Sequence, residues 1–400
     1  MNRRDFLKGG VVLSATTLGA AMLAPSAFAA SCTGIAQPES EHLKDIQMRR
    51  PWPADYEHPL LKALAYGMSA PNPHNTQAWK FEVERDTQSI LLYMDEKRML
   101  TATDPPARQL HMGAGCFLAY LEIGMEGEGY KTDIDLLPAG AHGLEELGKK
   151  PVARIRLTKL ASQTTHSPLY NQLFVRQTNR GLYKGAVITQ DELQKMLQLA
   201  GKTHATTTLY TDEPLRKKIG DLCYKAFETE TRNYETGDET RIWFRVKDDI
   251  ALKRDGLNMR TSGTTGLKLR IGEKQLEGYK PEVWHKESIT KMVLKDYRKK
   301  IDKNRGFISW ITQDNTQLSW LKVGRDYARL QLAASELGIY FHPLSQSLEE
   351  YAAMDTPRAE MASLLGVSEP GKTQMLVMVG RAEPLPYSYR RHLASMIQQL

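Results

Sequence analysis

A pattern that occurs twice restricts this chain more than any other feature. From Glu57 to Met68, "EHPLLKALAYGM" places Leu60, Leu61, Leu64 and Ala65 on one side of a helix. A loop rich in proline and asparagine follows, and then two strand patterns, "WKFEVE" and "SILLYM", joined by the polar "RDTQ". The stretch "DPPARQLHMGAGCFLAYLEIGMEGEG" opens on prolines suited to a first helical turn and continues as a long apolar helix. "KTDIDLLP" and "VARIRLTK" alternate as strands. From about Ser167 the order begins again: "SPLYNQLFVRQTNRG" reads as a short helix ending in a polar motif, "TQDELQKMLQLAG" as a capped amphipathic helix, and "ATTTLYTD" as a strand. A second long helix, "LKVGRDYARLQLAASELGI", the turn "HPLSQS" and the apolar "QMLVMVGRA", fit for a central strand, complete it. Gly115 precedes Gly129 and Tyr130 with the spacing by which Gly324 precedes Gly338 and Ile339, and Ala200, His204 and Thr206 repeat the spacing of Ala70, His74 and Thr76. Together these predict a tandem duplication.

A length of 400 residues exceeds the usual single domain and suits two structural halves sharing one core. Residues 1–29 read as a cleavable export signal: "NRRDFLKGG" carries an arginine pair, "VVLSATTLGAAMLA" a mild apolar run, and "SAFAA" an A-x-A pattern at Ala27 and Ala29. The twin arginine resembles the signal of the twin-arginine export machinery, which carries folded proteins and implies a periplasmic destination. The apolar run is broken by Gly, Ser and Thr and falls short of roughly twenty residues, so no stable membrane span is expected. Cys32 raises lipid anchoring as a minor alternative. Residues 30–56 read as a linker, 57–165 as the first half, and 166–400 as the second. The charged stretch from about 236 to 313 has no counterpart in the first half and reads as a helical insertion, either a lid or a solvated excursion.

The formal charge of +7 falls to +5 once Arg3, Arg4 and Lys8 leave with Asp5. No basic run is interleaved with aromatics, which argues against a nucleic-acid partner. Cys116 and Cys223 fall on apolar helix faces as buried, inert thiols, and no HExxH or His/Cys spacing suggests a metal.

Three stretches carry candidate chemistry. In "APNPHNTQAW" two prolines and several short hydrogen-bonding side chains forbid a helix and hold a loop for a purpose. In "RQTNRG", Arg176, Thr178 and Arg180 make a fork-shaped donor set for a phosphate. The tail "GRAEPLPYSYRRHL" adds Arg390 and Arg391 near a sheet end. A fourth, "TSGTTGLKLR", looks like the phosphate loop of adenylate-forming enzymes, but Lys268-Leu269-Arg270 stands where that family has Pro-Lys-Gly. "YETGD" also precedes the loop instead of following it at long range, so a flexible linker is the preferred reading.

Taken together, these pieces resemble the nitroreductase family of flavin enzymes, most closely its double-length, Acg-like branch. "RQTNR" matches the family's Arg-Arg-Ser-x-Arg motif with Gln177 and Thr178 substituted, and "PNPHNTQAW" matches Pro-Ser-x-x-Asn-x-Gln-Pro-Trp with Ala78 for Pro. Their order is reversed along the chain. In the family's homodimers the two motifs of one site come from opposite subunits, so the resemblance implies one complete FMN site per chain, in an α+β nitroreductase-like pseudo-dimer that is monomeric or a homodimer. It implies that Pro71, Asn72, Pro73, Asn75 and Gln77 flank the flavin and that Arg176, Gln177, Thr178 and Arg180 hold its phosphate and ribityl chain. Arg390 or Arg391 would close the site, and Leu344, Ser345 and Gln346 would pass near its reactive nitrogen. No side chain acts as nucleophile; the flavin moves two electrons from an unidentified donor to a small nitroaromatic or quinone-type acceptor. A flavin-sequestering protein without turnover is the alternative.

Overall fold

The computed structural model describes residues 40–162 and 166–399. The expected export signal at residues 1–29 and Cys32 lie outside the described residues. Within the expected linker the chain forms a helix, α1 (Ser40–Arg49).

The first half runs α2 (Pro59–Met68), β1 (Trp79–Glu84), β2 (Ser89–Met94), α3 (Arg108–Gly127), β3 (Tyr130–Leu136) and β4 (Ala153–Lys159). The second runs α4 (Gln190–Ala200), β5 (Thr206–Tyr210), a helical excursion of α5 (Glu213–Arg232), α6 (Tyr234–Ile242), α7 (Asp249–Lys253), α8 (Gly266–Gln275), α9 (Pro281–Trp284) and α10 (Glu287–Ile301), then β6 (Phe307–Thr312), α11 (Gln317–Glu336), β7 (Tyr340–Pro343), α12 (Asp355–Leu364) and β8 (Lys372–Gly380). In the first sheet the order is β3-β4-β2-β1, and in the second β7-β8-β6-β5, with every one of these pairs antiparallel. Strand for strand the two orders are the same. The excursion thus occupies the place of the tight turn between β1 and β2. It starts earlier than the sequence suggested, at α5, and ends earlier, because "FISWIT" near its expected end is β6, an internal strand of the second sheet.

Local chemistry accounts for the boundaries. Thr189 and Glu192 form a capping box at the start of α4. Gly129 and Gly338, each just past a long helix, have φ of 78° and 66°, the left-handed conformation that ends a helix. Two expectations change. Pro105 and Pro106 lie before α3 instead of in its first turn, and Asp104 caps that helix by accepting from the Gln109 and Leu110 N–H groups at 3.1 and 3.0 Å. "SPLYNQLFV" holds only a single 3-10 turn, Tyr170–Gln172.

The halves meet where α3 crosses α11. A β-carbon on Gly115 would strike the Leu321 carbonyl oxygen, and one on Gly324 would strike that of Met112. Each glycine admits the other helix's backbone, a reciprocal contact of the kind found on a two-fold axis. Beside it the Cys116 thiol donates to the Gly324 carbonyl at 3.1 Å, and Glu122 pairs with Arg325 and Arg329 at 2.8 and 2.7 Å. Aromatics seal each helix to its own sheet: Phe117 lies 4.9 Å from Trp79 and 5.1 Å from Phe81, and Tyr327 lies 5.5 Å from Trp310. Cys116 and Cys223 are free and buried, and burial pushes both thiols up to about 12. After β8 the chain returns across the first half and ends as β9 (Ile397–Gln399), parallel to β1. Among the described residues no helix is long and apolar enough to cross a membrane.

Because the crossing leaves no room for a methyl group, Gly324→Ala is expected to lower stability by about 3 kcal/mol. Lys322→Ala, two residues away on the same helix, should stay within about 0.5 kcal/mol. Urea unfolding of the two variants checks this, and equal midpoints would contradict the close approach.

Candidate functional site

The loop between α2 and β1 is held under strain. His74, Asn75 and Gln77 have φ of 47°, 53° and 50°, left-handed values at non-glycine residues, each costing on the order of 1–3 kcal/mol. Hydrogen bonds from three directions hold it there. Within the loop, the Asn72 Oδ1 accepts from the Gln77 N–H at 2.8 Å and its amide donates to the Ala70 carbonyl at 3.3 Å. From the excursion, the Arg254 carbonyl accepts from Gln77 Nε2 at 3.0 Å. From the C-terminal tail, Arg390 donates to Asn75 Oδ1 at 2.9 Å and to the carbonyls of Met68 and Ala70 at 2.8 and 3.1 Å, while the Arg391 N–H donates to Gln77 Oε1 at 2.7 Å.

This loop forms one wall of a cavity of about 780 Å³. Pro71, Asn72, Pro73 and His74 line it from the first half, with Gly113 behind them; a β-carbon there would come within 3.1 Å of Pro73. Thr178, Arg180, Ser345 and Gln346 line it from the second half. The two motifs that the sequence separates therefore share one chamber. Phe244, Leu257, Met259 and Trp284 from the excursion form an apolar side. Ser262, Thr264 and Lys268 also line it, so the glycine-rich stretch expected to be a flexible linker is part of the wall and starts α8.

The remaining expected residues stand behind the wall. Asn75 and Gln77 spend their amides on the protein, as above. Gln177 bonds Leu385 through both ends of its amide. The Leu344 N–H belongs to the sheet, donating to Leu376 at 2.9 Å. Arg390 and Arg391 act as clamps on the loop instead of facing the chamber, and Arg391 also lies 3.7 Å from Asp95. Arg176 donates to Thr178 Oγ1 and Gln331 Oε1, each at 3.3 Å, and to the Ser69 carbonyl at 3.1 Å.

Positive charge accumulates here without carboxylates. Arg176 and Arg390 converge on the carbonyls that end α2, where the helix dipole is negative. Arg50 joins them through the Ser388 and Phe174 carbonyls. Burial and the neighbouring guanidiniums hold Arg390 well below its ordinary value and lower Arg50 to about 10. Ser69 Oγ and the Tyr327 hydroxyl are buried without a hydrogen-bond partner. In the chamber itself, no hydrogen bond or ion pair among the described residues engages the Arg180 guanidinium, whose pKa burial also lowers. Burial and then Arg180 keep the flanking imidazoles neutral: His74 falls to about 4, and His342 well below its usual value.

Sequence reading missed Glu230, which lines the cavity. Its signal was available in the spacing, because Ile219, Cys223, Ala226 and Glu230 share the buried stripe of α5.

Between pH 6.5 and about 4 the unfolded chain takes up a proton that native His74 refuses. Its contribution to stability therefore falls as pH drops through that window, by at most about 3 kcal/mol. In His74→Gln, equilibrium unfolding at a series of pH values should show a shallower acid-side decline than the parent; an equally steep decline would contradict the neutral imidazole.

No family model matches the chain. Across 339 residues, 84% of this chain and 90% of the relative, it is 21% identical to "Putative NAD(P)H nitroreductase Rv3131" of Mycobacterium tuberculosis. Over 79 residues, 20% of this chain and 23% of the relative, it is 30% identical to "Putative NAD(P)H nitroreductase acg" of the same organism. Among solved structures, the FMN-dependent nitroreductase NfnB from Mycobacterium smegmatis, in complex with NADPH, aligns at 13% identity and a TM-score of 0.33, covering 54% of this chain and 88% of that one. Over most of its length, this chain is thus similar in sequence to proteins named as nitroreductases.

Proposed function

We propose that the chain is an FMN-dependent oxidoreductase of nitroreductase type, with one flavin site assembled from its two halves. The observation that carries this reading is the shared chamber, in which the Pro71–His74 wall of one half faces Thr178, Arg180, Ser345 and Gln346 of the other. The residues fit the cofactor. A cavity of about 780 Å³ with an apolar side suits a planar ring system. The unpaired Arg180 and the carboxylate-free cluster of Arg50, Arg176 and Arg390 supply the positive potential that a phosphate needs. Arg180 and Thr178 would hold the phosphate and ribityl end, with the loop and the Ser345–Gln346 turn on either side of the ring. When bound, FMN supplies two-electron transfer between a hydride donor and an acceptor of the nitroaromatic or quinone class. The protein's part is to orient it and, through the excursion, to restrict access of water to the chamber.

The relatives' names point to NAD(P)H as donor. The twin-arginine signal supports export to the periplasm, where a protein or quinol would have to serve instead. Sequestering flavin without turnover is the second reading, favoured by the excursion residues that wall the chamber. Anaerobic stopped-flow reduction of the flavin-loaded protein separates the two. Bleaching by NADPH, NADH or a quinol supports the enzyme, and failure with every donor supports sequestration. Loss of a charge-assisted contact to phosphate predicts that Arg180→Ala raises the dissociation constant for FMN by about tenfold or more. Lys268→Ala should change it by less than about threefold, as for an exposed cation; equal effects would undo the assignment of Arg180.

A further inference from the structure

Two acids, one in the chamber wall and one behind it, have carboxylates with no ion-pair partner among the described residues. Glu230 lies on the apolar stripe of α5 and is 5% exposed, and Glu349, after the 3-10 turn Gln346–Leu348, is 2% exposed. The Oε2 atom of each is buried with no hydrogen-bond partner. The guanidiniums near Glu349 are taken up elsewhere: Arg108 by Glu350 at 3.2 Å and by the carbonyls of Gln374 and Leu348 at 2.7 and 2.8 Å, and Arg358 by Asp355 at 2.7 Å and by the Glu349 carbonyl at 2.8 Å. Glu239 adds negative charge next to Glu230, and Asp104 next to Glu349. Glu230 borders the chamber directly, within hydrogen-bonding reach of Gln346 and Thr240, while Glu349 reaches it through Gln109. The hydroxyls of Tyr297 and Tyr351 lie near both acids, that of Tyr297 without a hydrogen-bond partner of its own.

Isolated buried carboxylates are too costly to keep ionised, so such groups hold their protons. We propose that Glu230 is the proton donor of this chamber, with the neighbouring Glu239 as the positioning residue that favours its protonated form and Glu349 as the acid that returns a proton to it. The role rests on the oxidoreductase reading above. In the step, a quinone-class acceptor takes a hydride whose two electrons come from the reductant that charges the site. The O–H bond of Glu230 breaks as its proton forms the second new bond to hydrogen, giving a hydroquinone. The reductant is oxidised, the quinone is reduced, and the Glu230 carboxylate recovers a proton from solvent by way of Glu349. Burial, acting before the neighbouring acids, holds Glu230 up at about 7 and Glu349 well above the usual carboxylate range, which suits donation near neutrality.

The isosteric variant Glu230→Gln tests this in two ways. Infrared difference spectra of the cofactor-free chain at about pH 6 should show a protonated-carboxyl band that the variant lacks; a carboxylate band in its place overturns the proposal. In the flavin-loaded protein, reoxidation by a quinone should slow on the order of a hundredfold while reduction by the donor changes less than about twofold. Equal slowing of both halves also overturns it. Glu239→Gln should move the alkaline limit of reoxidation to lower pH by about one unit, a shift that loss of packing alone does not produce. A chain that takes up no flavin overturns the oxidoreductase reading and proton donation with it. A chain that loads flavin but shows an ionised Glu230 overturns the proton donor alone.

Discussion

The close crossing of α3 and α11 fixes everything else in this molecule. Two helices can bring their backbones into contact only where neither carries a side chain, and Gly115 and Gly324 supply that absence from each side. Because each glycine touches the partner helix a turn away from the other glycine, the contact sets one relative rotation of the halves. Two sheets with the same strand order then lie on opposite sides of the crossing. The chamber lies beside it, with Met112, Gly113 and Cys116 of α3 and Tyr327 of α11 in its wall. A looser crossing would separate the motif of one half from the motif of the other.

The second constraint is the strained loop. Its left-handed residues are unfavourable on their own, and what holds them comes from far away in sequence: Arg254 from the excursion, and Arg390 and Arg391 from the tail. The tail in turn is fastened at both ends, since the Arg390 N–H donates to the Arg49 carbonyl at 2.9 Å and the Phe81 N–H donates to the Met396 carbonyl at 2.9 Å. The wall that faces the chamber thus depends on β9 staying beside β1. Rigidity of this kind is what a site needs when it must hold a planar ring without reorganising.

Much of this was legible in the sequence. β1 and β2 were readable to the residue because an alternating run and a continuous apolar run are joined by a polar turn, and the paired glycines revealed the duplication because helix ends and helix crossings both demand glycine. β6 was not, because its six residues follow a long run of lysines and arginines that drew it into the excursion. At the site, motif resemblance located Pro71, Asn72, Thr178 and Arg180 but could not tell facing from supporting residues. Which side of the backbone Asn75 or Arg390 points to is decided by left-handed φ values and by a tail that returns across the whole chain. The wall residues of the excursion were out of reach for the same reason: their approach depends on how six helices pack. Glu230 was overlooked for a different reason, since a lone acid in a charged helix usually marks a solvated face, and only its register with Ile219, Cys223 and Ala226 says otherwise.

The central claim is that two halves make one site. The most direct measurement is the number of flavin equivalents per chain, from the visible absorbance of the freshly purified protein followed by release and identification of the chromophore. The account predicts one FMN per chain. Two per chain would mean that each half carries its own site, and a colourless protein that fails to take up added FMN would mean that the chamber is not a flavin site; either result contradicts the account.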